Sequence, residues 1–203
     1  MSTRRPATLL AALLLAAGCT SKEKAAQGAP PDSLPVVVLE TSLGRIVMQL
    51  ERNRAPRTVD NILRHVRAKF YDGLVWHRVE RDFVIQTGME QPDSMVRTSS
   101  APPVPIESQN GLSNAQYSVG LARGSDPNSG TVQFYINLKD NPSLDFKEMN
   151  AKGWGYTVFG RVIEGKDVVD RIGRVPVDRK NEPLQPVVIT RAYVQEGTAP
   201  PRR

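Results

Sequence analysis

From residue 36 to residue 50 the chain runs Val36-Val37-Val38-Leu39-Glu40-Thr41, breaks at Ser42-Leu43-Gly44, and resumes as Arg45-Ile46-Val47-Met48-Gln49-Leu50. Two β-branched runs joined by a short glycine-containing connection predict a hairpin. The period then changes. Between residues 56 and 70, Val59, Ile62, Leu63, Val66 and Phe70 recur at three- and four-residue steps among basic residues, which predicts a surface helix with one buried stripe. His65 falls off that stripe and is expected to be exposed. After Asp72-Gly73, residues 74–79 and 83–86 read as strands, as do 116–122, 131–138, 155–163 and 187–194, with a short helix over 166–172. Residues 91–111 carry Pro92, Pro102, Pro103 and Pro105 and little apolar periodicity, the marks of a long surface excursion and not of a second domain. Many short strands, few helices and frequent turn residues predict a mainly β, mostly antiparallel barrel or sandwich.

The termini have a different composition. Arg4 and Arg5 precede the apolar run 9–17, which is too short for the ~20 residues of a spanning helix and reads as a signal segment over 1–18. The run ends Leu15-Ala16-Ala17-Gly18-Cys19. This is similar to the lipobox of bacterial lipoproteins, in which a cysteine is lipidated and becomes the new N-terminus. The resemblance implies a lipid on Cys19 and a protein held at a membrane of the bacterial cell envelope. Residues 19–34 are small, polar and proline-punctuated, a flexible tether; a domain is expected over 35–196 and a disordered tail over 197–203.

The 203 residues carry 27 Lys+Arg and 21 Asp+Glu, a net charge of +6. Removal of residues 1–18 takes away two bases and no acid, leaving +4 with bases and acids interspersed. Such a surface gives no footprint for nucleic acid. One cysteine and two histidines, His65 and His77, exclude an intrachain disulfide and a Cys-based zinc site, so no metal is expected. Hydrolase and nucleotide-binding motifs are missing too: there is no Gly-x-Ser-x-Gly, no Gly-x-x-x-x-Gly-Lys-Ser/Thr and no His-Glu-x-x-His. Asp140 and Asp145 flank a turn, where Asp commonly makes local hydrogen bonds.

What the chain does carry is an ordered series: Trp76-His77-Arg78-Val79, Phe83-Val84-Ile85-Gln86-Thr87-Gly88, Leu121-Ala122-Arg123, Val132-Gln133-Phe134-Tyr135-Ile136, Leu144-Asp145, and Gly153-Trp154-Gly155-Tyr156-Thr157-Val158-Phe159-Gly160. In this order and over about residues 35–196 it resembles the cyclophilin family of peptidyl-prolyl cis/trans isomerases. The resemblance implies an eight-stranded antiparallel β-barrel closed by two α-helices. It also implies acceleration of rotation about Xaa-Pro bonds in unfolded or extended polypeptides, without cofactor or metal. By the same resemblance Arg78 is the catalytic group. Phe83, Val84, Tyr135 and Leu144 line a proline pocket, Gln86 orients Arg78, and Gln133 and the Ala122-Arg123 backbone hold the peptide. Tyr156, at the position of a family His, completes the binding set. Phe134, on the other face of its strand, is expected in the core. His77 is expected to pack near the site without transferring a proton.

The chain departs from the family pattern at several positions. Tyr135 replaces a Phe and brings a hydroxyl to the pocket, Val84 replaces a common Met, and Thr87 replaces a Gly. Ser143 stands at the position of the Trp that helps animal cyclophilins bind cyclosporin. These changes keep alive a second reading, a proline-peptide binding module or chaperone with little turnover, and a third, a structural envelope lipoprotein. Nothing in the sequence demands more than a monomer.

Overall fold

The computed structural model describes residues 34–195; the signal segment, Cys19, the tether up to residue 33 and the tail over 197–203 lie outside the described residues. Eight strands follow in chain order: β1 (Val36–Thr41), β2 (Gly44–Leu50), β3 (Arg78–Glu80), β4 (Val84–Thr87), β5 (Ser118–Leu121), β6 (Phe134–Asn137), β7 (Val158–Glu164) and β8 (Ile189–Gln195). All pairings are antiparallel, in the order β3-β4-β6-β5-β7-β2-β1-β8. The sheet curls until the segment before β3 meets the segment before β8. There, Val75 bridges Val188, the Trp76 N–H donates to the Val187 carbonyl (3.0 Å), and the Ile189 N–H donates to the Leu74 carbonyl (2.7 Å). Residues 74–76 are thus spent on curling the sheet, which is why the strand expected over 74–79 survives as a ladder only at Arg78–Glu80.

Strand alternation sorts the side chains into two sets. Val37, Leu39, Ile46, Met48, Leu50, Val79, Ile85, Val119, Phe134, Ile136 and Phe159 point inward and are all but inaccessible to solvent. Phe134 sits at the centre of this core, edge-on to Tyr71, Trp76 and Phe159 at centroid distances of 5.5, 6.1 and 6.5 Å. Such edge-to-face packing lets each ring's positive edge meet its neighbour's negative face.

Two helices cover the sheet: α1 (Pro56–Arg67), against β8, and α2 (Lys166–Ile172), against β2. Each contributes its apolar stripe to the core, Val59, Ile62, Leu63 and Val66 from α1 and Val168, Val169 and Ile172 from α2. Helix α1 ends three residues before Phe70 because Lys69 adopts φ 57°. The Phe70 N–H then reaches back to the His65 carbonyl (2.9 Å) and the Lys69 N–H to Val66 (3.0 Å), the bonding of a Schellman cap.

The expected exposure of His65 is overturned. Its ring is buried, with Nδ1 against the Asn61 carbonyl (2.8 Å), Nε2 against Ser99 Oγ (2.7 Å) and Phe70 edge-on at 5.2 Å. The cause is the proline-rich excursion, which lies over the flank of α1 and buries Val104 against the core. From the same segment the Glu107 carboxylate caps α1, accepting from the Arg57 N–H (3.1 Å), the Thr58 N–H (2.9 Å) and the Thr58 hydroxyl (2.7 Å). Ala55 at the N-cap has no side chain for that task.

Candidate active site

On the outer face, register builds a row of side chains across four strands. Arg78 on β3 pairs with Gln86 on β4, Gln86 with Tyr135 on β6, and Tyr135 with Gly120 on β5. Their neighbours Val79, Ile85, Phe134 and Val119 belong to the core, so the row must face away from it. The Arg78 Nη1 donates to Gln86 Oε1 (3.2 Å), and Gln86 Nε2 donates to Gln133 Oε1 (3.0 Å). The guanidinium lies 5.9 Å from the centroid of the Phe83 ring and pairs through Nη2 with Glu80. One relay of polar groups therefore fixes the arginine from below and leaves a face open to solvent.

Beside it lies an apolar set. Val84 is buried on the same face as Gln86, and Phe83 and Leu144 are half-buried. Leu144 closes a 3-10 turn, Pro142–Leu144, that starts at Asn141. Asn141 Nδ2 donates to the Phe83 carbonyl (3.0 Å) and to Asn137 Oδ1 (2.7 Å), tying that turn to the β3-β4 connection. Gly155, at φ 58°, packs where a Cβ would strike the Leu144-Asp145 backbone, and the Tyr156 N–H donates to the Leu144 carbonyl (2.9 Å).

Tyr135 brings its hydroxyl to the site but turns it away. The hydroxyl donates to Asn114 Oδ1 (2.7 Å), and Asp145 in turn accepts from the Asn114 backbone N–H (2.6 Å) and Nδ2 (2.9 Å). Burial, with lesser contributions from Tyr156 and Asp145, pushes the Tyr135 phenol well above its ordinary range and keeps it protonated. Tyr156 stands edge-on to Tyr135 at 5.9 Å, and the Arg123 guanidinium stacks on Tyr156 at 4.6 Å. Arg123 Nε also donates to the Gly155 carbonyl (2.9 Å). The Arg123 side chain thus spans from its own loop to the far wall, while Ala122 continues the β5-β6 pairing through its N–H to the Gln133 carbonyl (2.9 Å). The ten residues expected at the site, Arg78, Phe83, Val84, Gln86, Ala122, Arg123, Gln133, Tyr135, Leu144 and Tyr156, fall in one neighbourhood linked by these contacts.

Sequence reasoning missed Asn114 and Gly120, and it offered Glu80, with Asp82, only as a surface ion-pair partner for Arg78. Asn114 lies in an irregular stretch with no period to mark it. Gly120 matters only through its register with Tyr135, and Glu80 is marked by standing two places beyond Arg78 on an alternating strand. His77 packs behind Arg78 with Nδ1 buried and unpartnered. Burial, and then the Arg78 charge, lower its pKa from 6.5 to about 4, so the ring is neutral near pH 7. Among the described residues no group of three or more His, Cys, Asp or Glu could hold a metal ion, and no helix is long and apolar enough to cross a membrane. Two surface cavities, of about 370 and 430 Å³, are lined by none of these ten residues.

The family model of cyclophilin type peptidyl-prolyl cis-trans isomerases matches residues 36–194. A peptidyl-prolyl cis-trans isomerase, cyp18, of Streptomyces antibioticus is 47% identical over 165 residues, covering 79% of this chain and 99% of the relative. Peptidyl-prolyl cis-trans isomerase B of Escherichia coli is 38% identical over 165 residues, covering 79% and 100%. A crystal structure of a Cryptosporidium parvum cyclophilin type isomerase, obtained in the presence of the dipeptide Ala-Pro, superposes with a TM-score of 0.67 at 20% identity, covering 80% of this chain and 99% of that one. This last likeness bears on the fold.

Proposed function

Because the chain belongs to the cyclophilin-type peptidyl-prolyl cis-trans isomerases, we propose that it turns over Xaa-Pro bonds at the Arg78 row by a non-covalent, arginine-assisted mechanism. Rotation about an Xaa-Pro bond must break amide resonance over a barrier of ~20 kcal/mol, which makes it slow, tens of seconds without a catalyst. No bond is made or cleaved. The requirement is to stabilise the twisted amide, in which the proline nitrogen recovers its lone pair and accepts hydrogen bonds better than in the planar state. Arg78 supplies the donor. Gln86 holds its Nη1, so the guanidinium need not be ordered during the reaction. Phe83, Val84, Tyr135 and Leu144 supply the apolar slot that takes the pyrrolidine ring, and Gln133 with the Ala122-Arg123 backbone holds the chain alongside.

The observation that carries this reading is the hydrogen-bonded relay Arg78-Gln86-Gln133 beside the buried Val84 and Tyr135. It is tested by an isomerisation assay on a short Xaa-Pro peptide. A loss of turnover on the order of a hundredfold or more in Arg78→Ala supports the mechanism; peptide binding without turnover in the wild type overturns it.

The client class that suits an open outer-face site is an extended or unfolded polypeptide containing proline. We place the enzyme in the bacterial cell envelope, anchored by lipid on Cys19 and assisting protein folding there as a monomer. Support for the anchor is the sequence pattern ending at Cys19. Cys19→Ala should move the protein from the membrane fraction to the soluble one; retention in the membrane fraction overturns the anchor.

A further inference from the structure

We propose that Glu80 is a positioning residue for the reaction, taking one Nη of Arg78 while Gln86 takes the other and so fixing the plane of the guanidinium. The inference rests on the reading of Arg78 given above. Its basis is strand geometry: Arg78 and Glu80 are two apart on β3, on one face, and each has its own partner across the ladder, Gln86 for Arg78 and Val84 for Glu80. The carboxylate is thus rooted beside a residue of the apolar slot, and Nη2 of Arg78 is paired with it. Nη1 is separately bonded to Gln86.

A guanidinium held at one nitrogen can swing about that contact; held at both, it cannot. The two anchors differ in strength, since the Gln86 bond joins the cation to a neutral acceptor whereas both partners of the Glu80 bond are charged. Arginine carries five N–H donors in a rigid fork, so these two anchors leave others for the peptide amide. The side chains of Arg78 and Glu80 are 39% and 38% exposed, and an ion pair in such a wet setting contributes little to stability. Its effect falls instead on the orientation of the donor, where misplacement of a catalytic group lowers the rate steeply.

Glu80 also sets a negative charge beside the cation that the reaction uses. Position and charge act in opposite directions, and two substitutions separate them. Glu80→Ala removes both, whereas Glu80→Gln keeps an acceptor for Nη2 and removes the charge. We expect Glu80→Ala to lower kcat/KM by about 3- to 10-fold, mainly in kcat, and Glu80→Gln to retain at least about half of the wild-type value. In the Arg78→Ala background, Glu80→Ala should change the residual rate by less than about 2-fold, because there is no guanidinium left to position.

Unchanged or faster turnover in Glu80→Ala overturns the proposal, as does an equal loss in the Arg78→Ala background. A second measurement needs no turnover. Side-chain NMR of the full chain should show restricted rotation of the Arg78 guanidinium in the wild type and in Glu80→Gln, and free rotation in Glu80→Ala. Equal mobility in all three overturns the clamp. Failure of the wild type to isomerise would strike the functional reading alone, because the guanidinium measurement does not depend on it.

Discussion

The ring of Tyr135 lies across Gly120 and fills the space that a Cβ there would occupy, with the ring carbon Cζ and the hydroxyl oxygen both in the way. The two residues are partners in the β5-β6 register, so the glycine is what lets a tyrosine lie flat at this point of the outer face. Gly120→Ala should therefore cost about 1–3 kcal/mol, as overpacking does, and displace Tyr135 from the slot, raising KM. Urea unfolding of Gly120→Ala in the wild-type and Tyr135→Leu backgrounds checks this: the cost should shrink when the ring is gone.

Tyr135→Phe is expected to behave differently. The hydroxyl bonds Asn114 and not the slot, and Asn114 Oδ1 keeps a second donor in Asn137 Nδ2 (3.3 Å). Stability should fall by ~1 kcal/mol, the net value of one hydrogen bond, while kcat/KM stays within about 2-fold in a peptide assay.

Arg78→Ala should lower kcat/KM by on the order of a hundredfold or more, the ~3–4 kcal/mol typical of removing one well-aimed donor. Arg78→Lys should recover little, because an ammonium cannot bond Gln86 and Glu80 as a planar fork does. The fold should be intact in both, with thermal midpoints near that of the wild type, since Arg78 lies on the outer face. Collapse of stability in step with activity would count against the assignment.

The pH dependence separates catalysis from stability. Turnover should be nearly flat from about pH 6 to 9, because arginine stays protonated throughout and His77, lowered to about 4, stays neutral across that window; a limb for kcat/KM near pH 4 that His77→Gln removes would bring His77 into the chemistry. Stability behaves otherwise. The pKa of His77 is lowered from 6.5 to about 4 in the folded protein, so between those values the unfolded chain binds the extra proton. The contribution of the neutral ring is complete above pH 6.5 and is lost as pH falls toward 4, a change on the order of 3 kcal/mol. His77→Gln should reduce the slope of unfolding free energy against pH in that window.

Glu107→Ala should cost about 1–2 kcal/mol by stripping α1 of its cap, a loss readable in the thermal midpoint. Glu107→Gln should recover part of it.

With Ser143 and Tyr156 at positions where animal cyclophilins carry Trp and His, cyclosporin should bind weakly. Titration calorimetry should give a Kd above ~100 nM.

Much of this architecture can be read from residue order. The β1-β2 hairpin and α2 follow from local periodicity, and their bounds agree with the pattern to within a residue. The interior position of Phe134 follows from alternation alone. The burial of His65 does not, because it depends on Ser99 and Val104, which arrive from a segment without period some 35 residues later. Glu107 escapes for the same reason: a helix capped from 49 residues away leaves no local signature. At the site, Arg78 read as a catalytic donor and Arg78 read as a surface ion pair look like alternatives in the sequence, yet the guanidinium has enough donors for Gln86 and Glu80 together. The row Arg78-Gln86-Tyr135-Gly120 becomes visible only once register is known, since β6 precedes β5 in space and follows it in the chain.

The same strands that pack Val79, Ile85 and Phe134 inward carry Arg78, Gln86 and Tyr135 outward. Cohesion and the proposed site are thereby entrusted to interleaved but separate positions, alternate residues of each strand. A shift in the sequences this enzyme prefers can be sought at Val84, Gln133 or Tyr156 without reopening the interior, which gives the scaffold wide latitude to acquire new clients while remaining the same folded object.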